Sequence, residues 1–165
     1  MSQDPTPPSE NILNEPQIAY QSAGSGLNFI LNKSIDSSIA LNFNDIDLIN
    51  LSREGLKKAS IKSLNNYLGI TMEQMAVLLG TTYRNLHRKD ADDTLDNSKT
   101  EKAIELATFA RRGVQVIGSE LGFKKWLQSP IKALGSKPPL DFLDTTFGIQ
   151  LALKVLGRME QGVFS

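Results

Sequence analysis

The chain has 165 residues, 40% of them apolar and 22% charged, which suits one domain or two small ones with a working core. With no cysteine and a single histidine, a disulfide framework, a thiolate zinc site, a thiol nucleophile and a multi-histidine metal centre are excluded. Eighteen bases balance eighteen acids, but residues 1–50 hold one base against six acids and residues 51–89 hold seven bases against two.

A basic middle in a neutral chain is what a phosphate-contacting module needs, although solvated helix faces give the same count. No apolar run approaches the roughly 18 residues that span a bilayer, and Met1 to Pro16 has neither a basic start nor an apolar stretch for export. The expected setting is the cytoplasm, with no membrane contact.

Residues 1–26, rich in Pro, Ser, Gln and Gly, read as a flexible arm. In Leu27–Leu31 and again in Ile39–Phe43 apolar residues alternate as in a short strand, with a polar run between. Helical signals begin at Asn44, a candidate cap for a short helix through Ile46, Leu48, Ile49 and Leu51 that Gly55 ends. A second helix is expected from about Lys57 to Leu68, with Ile61, Leu64 and Leu68 on one side and Gly69 as its stop.

Thr71-Met-Glu-Gln74 carries a reciprocal capping signature, and Met72, Met75, Ala76 and Leu79 form the stripe behind it. Gly80 stops that helix, and Thr81 is placed to cap another from Thr82 to about Lys89. An acidic connector (Asp90, Asp92, Asp93, Asp96) follows. Ser98-Lys-Thr-Glu101 then reads as a second capping box opening the longest helix, to about Ile117, with Gly118 as its end.

A helix near Glu120 to Leu127 carries Phe123 and Trp126 before Pro130 breaks it. After Gly135 and Pro138-Pro139 come a short helical turn at Leu140 to Leu143 and a last helix from Thr146 to about Met159. That helix sets Phe147, Leu151 and Val155 in a row, and Trp126, Phe142 and Phe147 are expected in the core. The architecture reads as all-α: an arm (1–26), a helix-turn-helix domain (27–97) and a small helical C-terminal domain (98–165).

Two constellations carry function. Ile70 to Lys89, a short helix, a turn at Gly80 and a second short helix, has the helix-turn-helix spacing in which the second helix reads the major groove. Ala76 and Gly80 are small where the helices meet, Leu79 and Leu86 fall between them, and Thr82, Tyr83, Arg84, His87 and Arg88 are left outside for DNA. Arginine bonds guanine in two-pronged fashion, and Thr and Tyr suit phosphates or the thymine methyl. The same pattern occurs in helical pairs that bind only each other, and carboxylates in the connector would repel phosphate.

The second constellation is the C-terminal stretch. Trp126, Leu127, Pro130, Ala133, Leu134, Gly135, Pro139, Leu140, Leu143, Thr145, Gly148, Leu156, Gly157, Arg158, Glu160, Gly162 and Val163 resemble the C-terminal toxin-binding domain of the Xre/MbcA/ParS antitoxins of type II toxin–antitoxin systems. That family pattern runs Trp-Leu-x-x-Pro-x-x-Ala-Leu-Gly-Gly-x-x-Pro-Leu-x-Leu-Leu, Thr-x-x-Gly, and Leu-Gly-Arg-Ile-Glu-His-Gly-Val. Leu51-Ser-Arg-Glu-Gly55 and Arg84-Asn-Leu-His-Arg88 are similar to the Xre-type helix-turn-helix of the same family. The departures are Ser136 (Gly in the pattern), Met159 (Ile) and Gln161 (His); the first two are tolerable on size and polarity, whereas Gln161 forfeits any cationic contact.

The resemblance implies a cognate toxin, most often a RES-type enzyme that consumes NAD, blocked by the antitoxin's C-terminal region. The toxin-binding residues are then Arg158, Glu160, Gln161, Gly162, Val163, Phe164 and Ser165. Glu160 would face an electropositive cavity while Val163 and Phe164 fill an apolar slot; the local alternative is that Arg158 and Glu160 only finish the last helix. Operator DNA and a second copy of the chain are the other expected partners, since such DNA readers match palindromic half-sites as dimers. The alternative is a stand-alone helix-turn-helix repressor with a C-terminal dimerisation module. An enzyme is disfavoured: there is no Gly-rich phosphate cradle, one histidine cannot serve a Ser/His/Asp set, and Asp141, Asp144 and Glu160 lie at spacings equally explained by helix capping. No cofactor and no metal are expected.

Overall fold

The computed structural model describes residues 45–162. Asn44 as a cap, the strand-like stretches within 27–43, the arm at 1–26 and Val163, Phe164 and Ser165 lie outside the described residues. The described chain is all-α: α1 (Asp45–Glu54), α2 (Lys58–Leu68), α3 (Met72–Leu78), α4 (Tyr83–His87), α5 (Asn97–Ile117), α6 (Glu120–Gln128), 3-10 turns at Lys132–Leu134 and Pro139–Phe142, and α7 (Thr146–Glu160). No helix among the described residues is long and apolar enough to cross a membrane.

Most helix ends are written in local chemistry. Gly55, Gly69 and Gly118 take left-handed φ values where α1, α2 and α5 stop, a conformation that costs glycine nothing. The Thr71 box is complete: its hydroxyl accepts from the Gln74 amide at 3.2 Å and the Gln74 carboxamide oxygen accepts from the Thr71 amide at 2.9 Å. Two caps fall elsewhere than expected. Thr82, not Thr81, caps α4, because Thr82 has the extended backbone that aims its hydroxyl at the Asn85 amide, 3.2 Å away.

Asp96 caps α5 in place of Ser98, which lies within the first turn; the Asp96 carboxylate accepts from the Lys99 amide at 3.0 Å and pairs with the Lys99 ammonium. An aspartate already in extended conformation two residues upstream starts the helix earlier, so the amide that is capped is that of Lys99 and not that of Glu101. The hydrogen bonds from Lys99 hold the Asp96 carboxyl below the usual carboxylate range.

A single apolar core runs through the described residues, and α5 is its axis. The helices α1, α2, α6 and α7 all pack against it, and α2 also touches α6. Ile61, Leu64 and Leu68 of α2 are fully buried, as their spacing predicts. Phe109 of α5 meets Phe123 edge-on at 5.8 Å, and Phe123 stacks with Trp126 at 6.1 Å, so Trp126 is a core residue. Phe147 is not: it is 90% exposed, and Leu151 is exposed with it.

Geometry corrects a further reading. Ser136 has φ 60°, the one non-glycine residue with positive φ among those described, so the glycine of the family pattern supplies backbone freedom there and not merely small size. The loop is otherwise tied by the Ile131 amide to the Lys137 carbonyl at 3.1 Å and the Ser136 amide to the Ile131 carbonyl at 3.0 Å.

Candidate functional sites: the helix-turn-helix face and the end of the last helix

The α3–α4 pair is closed from inside by Met75, Ala76, Leu79 and Leu86, all buried. Gly80 lies in the turn with φ 63°, yet a Cβ added there would meet nothing within 4 Å. Its value is therefore its left-handed backbone, which lets the chain reverse, and not the close helix approach expected from its size. The Thr81 amide bonds the Ala76 carbonyl at 2.9 Å and the Gly80 amide the Val77 carbonyl at 3.0 Å, so the freed carbonyls of α3 are satisfied.

Thr82, Tyr83, Arg84, His87 and Arg88 are all exposed and lie together on this short helix. The Tyr83 and His87 rings lie 5.3 Å apart and tilted on that face. The Thr82 hydroxyl is engaged as a cap acceptor, which leaves its proton as the group available to an outside acceptor.

The basic excess of residues 51–89 divides into two uses. Lys58 donates from its ammonium to the carbonyls of His87, at 3.0 Å, and Lys89; Lys89 donates to the Thr94 carbonyl at 2.9 Å; Lys57 pairs with Asp92 at 2.8 Å. Lys57 and Lys58 strap the segment after α4 to the start of α2, where the Lys58 amide also bonds the Asp93 carbonyl at 2.9 Å, and Lys89 ties that segment to itself. The helix α4 ends at His87, short of the expected Lys89. Arg84 and Arg88 stay on the open face.

The acidic connector is likewise locally occupied. Asp92 is on Lys57, Asp93 accepts from the Asp90 amide at 2.8 Å, and Asp96 caps α5. Lys57 holds the Asp92 carboxyl below its ordinary value, mainly through the hydrogen bond. The repulsion expected between this connector and phosphate is thus partly offset by neighbouring lysines.

In the C-terminal half, most motif residues build the fold. Trp126, Leu127, Leu134, Pro139, Leu143, Gly148 and Leu156 are buried. Thr145 caps α7 by accepting from the Gly148 amide at 3.0 Å, and a Cβ at Gly148 would overlap the Phe142 carbonyl. Gly157 differs from Gly148. It lies inside α7 with negative φ, and a Cβ added there meets nothing within 4 Å, so the described fold does not require glycine at that position.

Arg158, Glu160, Gln161 and Gly162 are exposed at the end of α7. The Gln161 amide bonds the Gly157 carbonyl at 3.2 Å, and the Gly162 amide, at φ 71°, bonds the Met159 carbonyl at 3.1 Å. Glu160 pairs with Arg112 of α5 at 2.5 Å. Both side chains are near half exposure, so the pair contributes at most about 1 kcal/mol and is open to exchange for another partner.

Beside this end, α1, α5 and α7 enclose a groove of about 580 Å³ lined by Ile49, Ile104, Phe109, Ile149 and Leu153, with Arg112 at its margin. Ile49, which lines it, and Ile46 are exposed apolar residues of α1. Sequence reasoning assigned no role to this groove, because it needs three helices remote in sequence.

The α3–α4 helix-turn-helix pair, followed in the chain by a small helical C-terminal unit, places the fold in the helix-turn-helix class. The family model for the antitoxin Xre-like helix-turn-helix domain matches residues 47–108, and that for the antitoxin Xre/MbcA/ParS C-terminal toxin-binding domain matches residues 112–162. The chain belongs to this Xre/MbcA/ParS family of type II antitoxins. It is 28% identical over 122 residues to "Antitoxin Xre" of Yersinia enterocolitica, covering 72% of this chain and 81% of the relative. It is 25% identical over 130 residues to "Prs ADP-ribosylating antitoxin" of a Sphingobium species, covering 73% and 82%.

Proposed function

We propose that this chain is a non-enzymatic cytoplasmic inhibitor that neutralises a RES-type, NAD-consuming toxin by laying residues 158–165 over its active site. The observation that carries this reading is the toxin-binding match over residues 112–162, which ends where α7 gives way to exposed Gln161 and Gly162. Among the described residues Glu160 is held by a half-exposed ion pair, and it can exchange Arg112 for a cation in the toxin cavity. The name of the Sphingobium relative speaks of ADP-ribosylation, chemistry whose usual donor is NAD, and this favours an NAD-consuming partner.

Deleting residues 158–165 should abolish protection in cells that co-express the toxin, while operator binding in a gel shift survives. Protection that persists would return the tail to a purely structural role.

The same chain represses its own operon through α4, with Thr82, Tyr83, Arg84, His87 and Arg88 facing DNA. Arg84 and Arg88 stand on the open face while Lys57, Lys58 and Lys89 serve the fold, which makes the two arginines the cations to test. Arg84→Ala with Arg88→Ala should weaken operator binding and reduce the steepness of its salt dependence by about 1–2 in log–log slope. An unchanged slope in a titration from low to moderate salt removes α4 from the DNA interface. Dimerisation, which a palindromic operator requires, is supported by exposed Ile46 and Ile49 on α1.

A further inference from the structure

The residues that the family pattern specifies and those it leaves open part company at the start of α7. In Thr-x-x-Gly, Thr145 caps the helix and Gly148 packs under the Phe142 carbonyl, so both are consumed by the fold. Phe147 occupies an unspecified position and is 90% exposed. One turn on, Leu151 is 37% exposed, and Lys154 and Arg158 continue the same face at helical spacing. A phenylalanine this exposed, followed by a part-exposed leucine on one helix face, is costly to solubility, and Phe147 stands outside the core described above.

We infer that the outer face of α7 is the anchor by which this chain holds and selects its toxin, separate from the tail that inhibits it. Phe147 and Leu151 enter an apolar pocket of the toxin whose border is acidic, where Lys154 meets it; Arg158, further along the same face, is the first residue of the tail. The inference rests on the antitoxin reading and deepens it.

Three observations support that occupant. The face lies within the stretch matched as a toxin-binding domain. It leads directly to the tail: from Phe147 to Arg158 the helix rises about 16 Å, the reach of an ordinary protein interface. Gly157, at the edge of the same face, is a helix-interior glycine that the described fold does not require, and such a bare position lets a partner's surface come close. An aromatic anchor at the centre and charges toward the border is the usual arrangement of an interface that concentrates affinity in a few side chains. Because Phe147 stands where the family pattern names no residue, it distinguishes this chain's toxin from those of its relatives.

The test uses the full chain and the protein encoded by the adjacent reading frame, with affinity measured by calorimetry and inhibition by toxin turnover of NAD. Phe147→Glu is the main variant, because an acid in the first turn of α7 suits the helix and its exposed site leaves folding intact. Its affinity should fall about 30-fold or more, with circular dichroism and melting unchanged. Gly157→Ala should raise the melting temperature, as alanine is the better helix former, and yet weaken the complex. Deleting 158–165 should remove inhibition while a complex still forms.

Parental affinity in Phe147→Glu, with the parent chain still binding and inhibiting, overturns the anchor and leaves the antitoxin reading standing. The same holds if Phe147→Glu only converts a dimer into a monomer, since the face would then be covered by a second copy. If the parent chain neither binds nor inhibits that protein, the antitoxin reading falls and the anchor with it.

Discussion

Gly148→Ala should destabilise the chain by about 3 kcal/mol or more, at the upper end of what overpacking a core costs. An added Cβ would overlap the Phe142 carbonyl oxygen and lie 2.7 Å from its carbonyl carbon. The obstacle is backbone, so no rotamer change relieves it. Nor can the turn withdraw freely: Pro139 is buried, and the Asp141 amide bonds the Pro138 carbonyl at 3.1 Å. Relief would require α7 to separate from the 3-10 turn before it, and Ile149 and Ala152 would lose their packing. A urea titration followed by circular dichroism measures the effect; a change below about 0.5 kcal/mol would mean that the turn yields and that the motif glycine has another purpose.

The second large effect is a coupling. Phe123→Ala empties a fully buried site and should cost about 3–5 kcal/mol. Gly113→Ala, on the facing turn of α5, should cost about 2 kcal/mol, since its Cβ would lie 3.1 Å from the Phe123 Cζ and nearer still to two other ring atoms. Phe123 cannot step aside, because Phe109 and Trp126 hold its ring from two directions. In the double variant the clash has gone, and alanine improves on glycine in a helix by about 1 kcal/mol. The double variant should therefore be more stable than Phe123→Ala alone. Strict additivity in the four-member cycle would show that α5 and α6 do not pack through this ring.

Much of the helical outline was legible because its punctuation is local. Gly55, Gly69 and Gly118 stop helices where their backbone conformation says they should, and the Thr71 box depends on four consecutive residues. What escaped prediction depends on distant partners or on competition between near neighbours. Thr81 and Thr82 are chemically alike, and only the turn geometry decides which one points at an open amide. Lys58 and Lys89 counted toward the basic excess of residues 51–89, and only the fold brings carbonyls within their reach.

The row Phe147, Leu151, Val155 misled for a geometric reason. Steps of four residues advance about 40° beyond a full turn, so a row that ends in the core at Val155 begins well outside it at Phe147. Periodicity shows which side chains are neighbours, and it is silent on where the neighbouring elements stop covering them. The tail residues Arg158 to Gly162 could be named from the motif, whereas the partner of Glu160 on α5 could not, since 48 positions separate it from Arg112.

The two family matches meet inside α5, at residues 108 and 112, with no interruption of the 21-residue helix. Recombination between relatives therefore has no neutral seam here. A chimera that grafts the operator-reading half of one antitoxin onto the neutralising half of another must inherit the whole rod from a single parent, together with the side chains on both flanks that were shaped to it. Evolution of a new pairing is more easily achieved by substitution at outward positions than by exchange of halves.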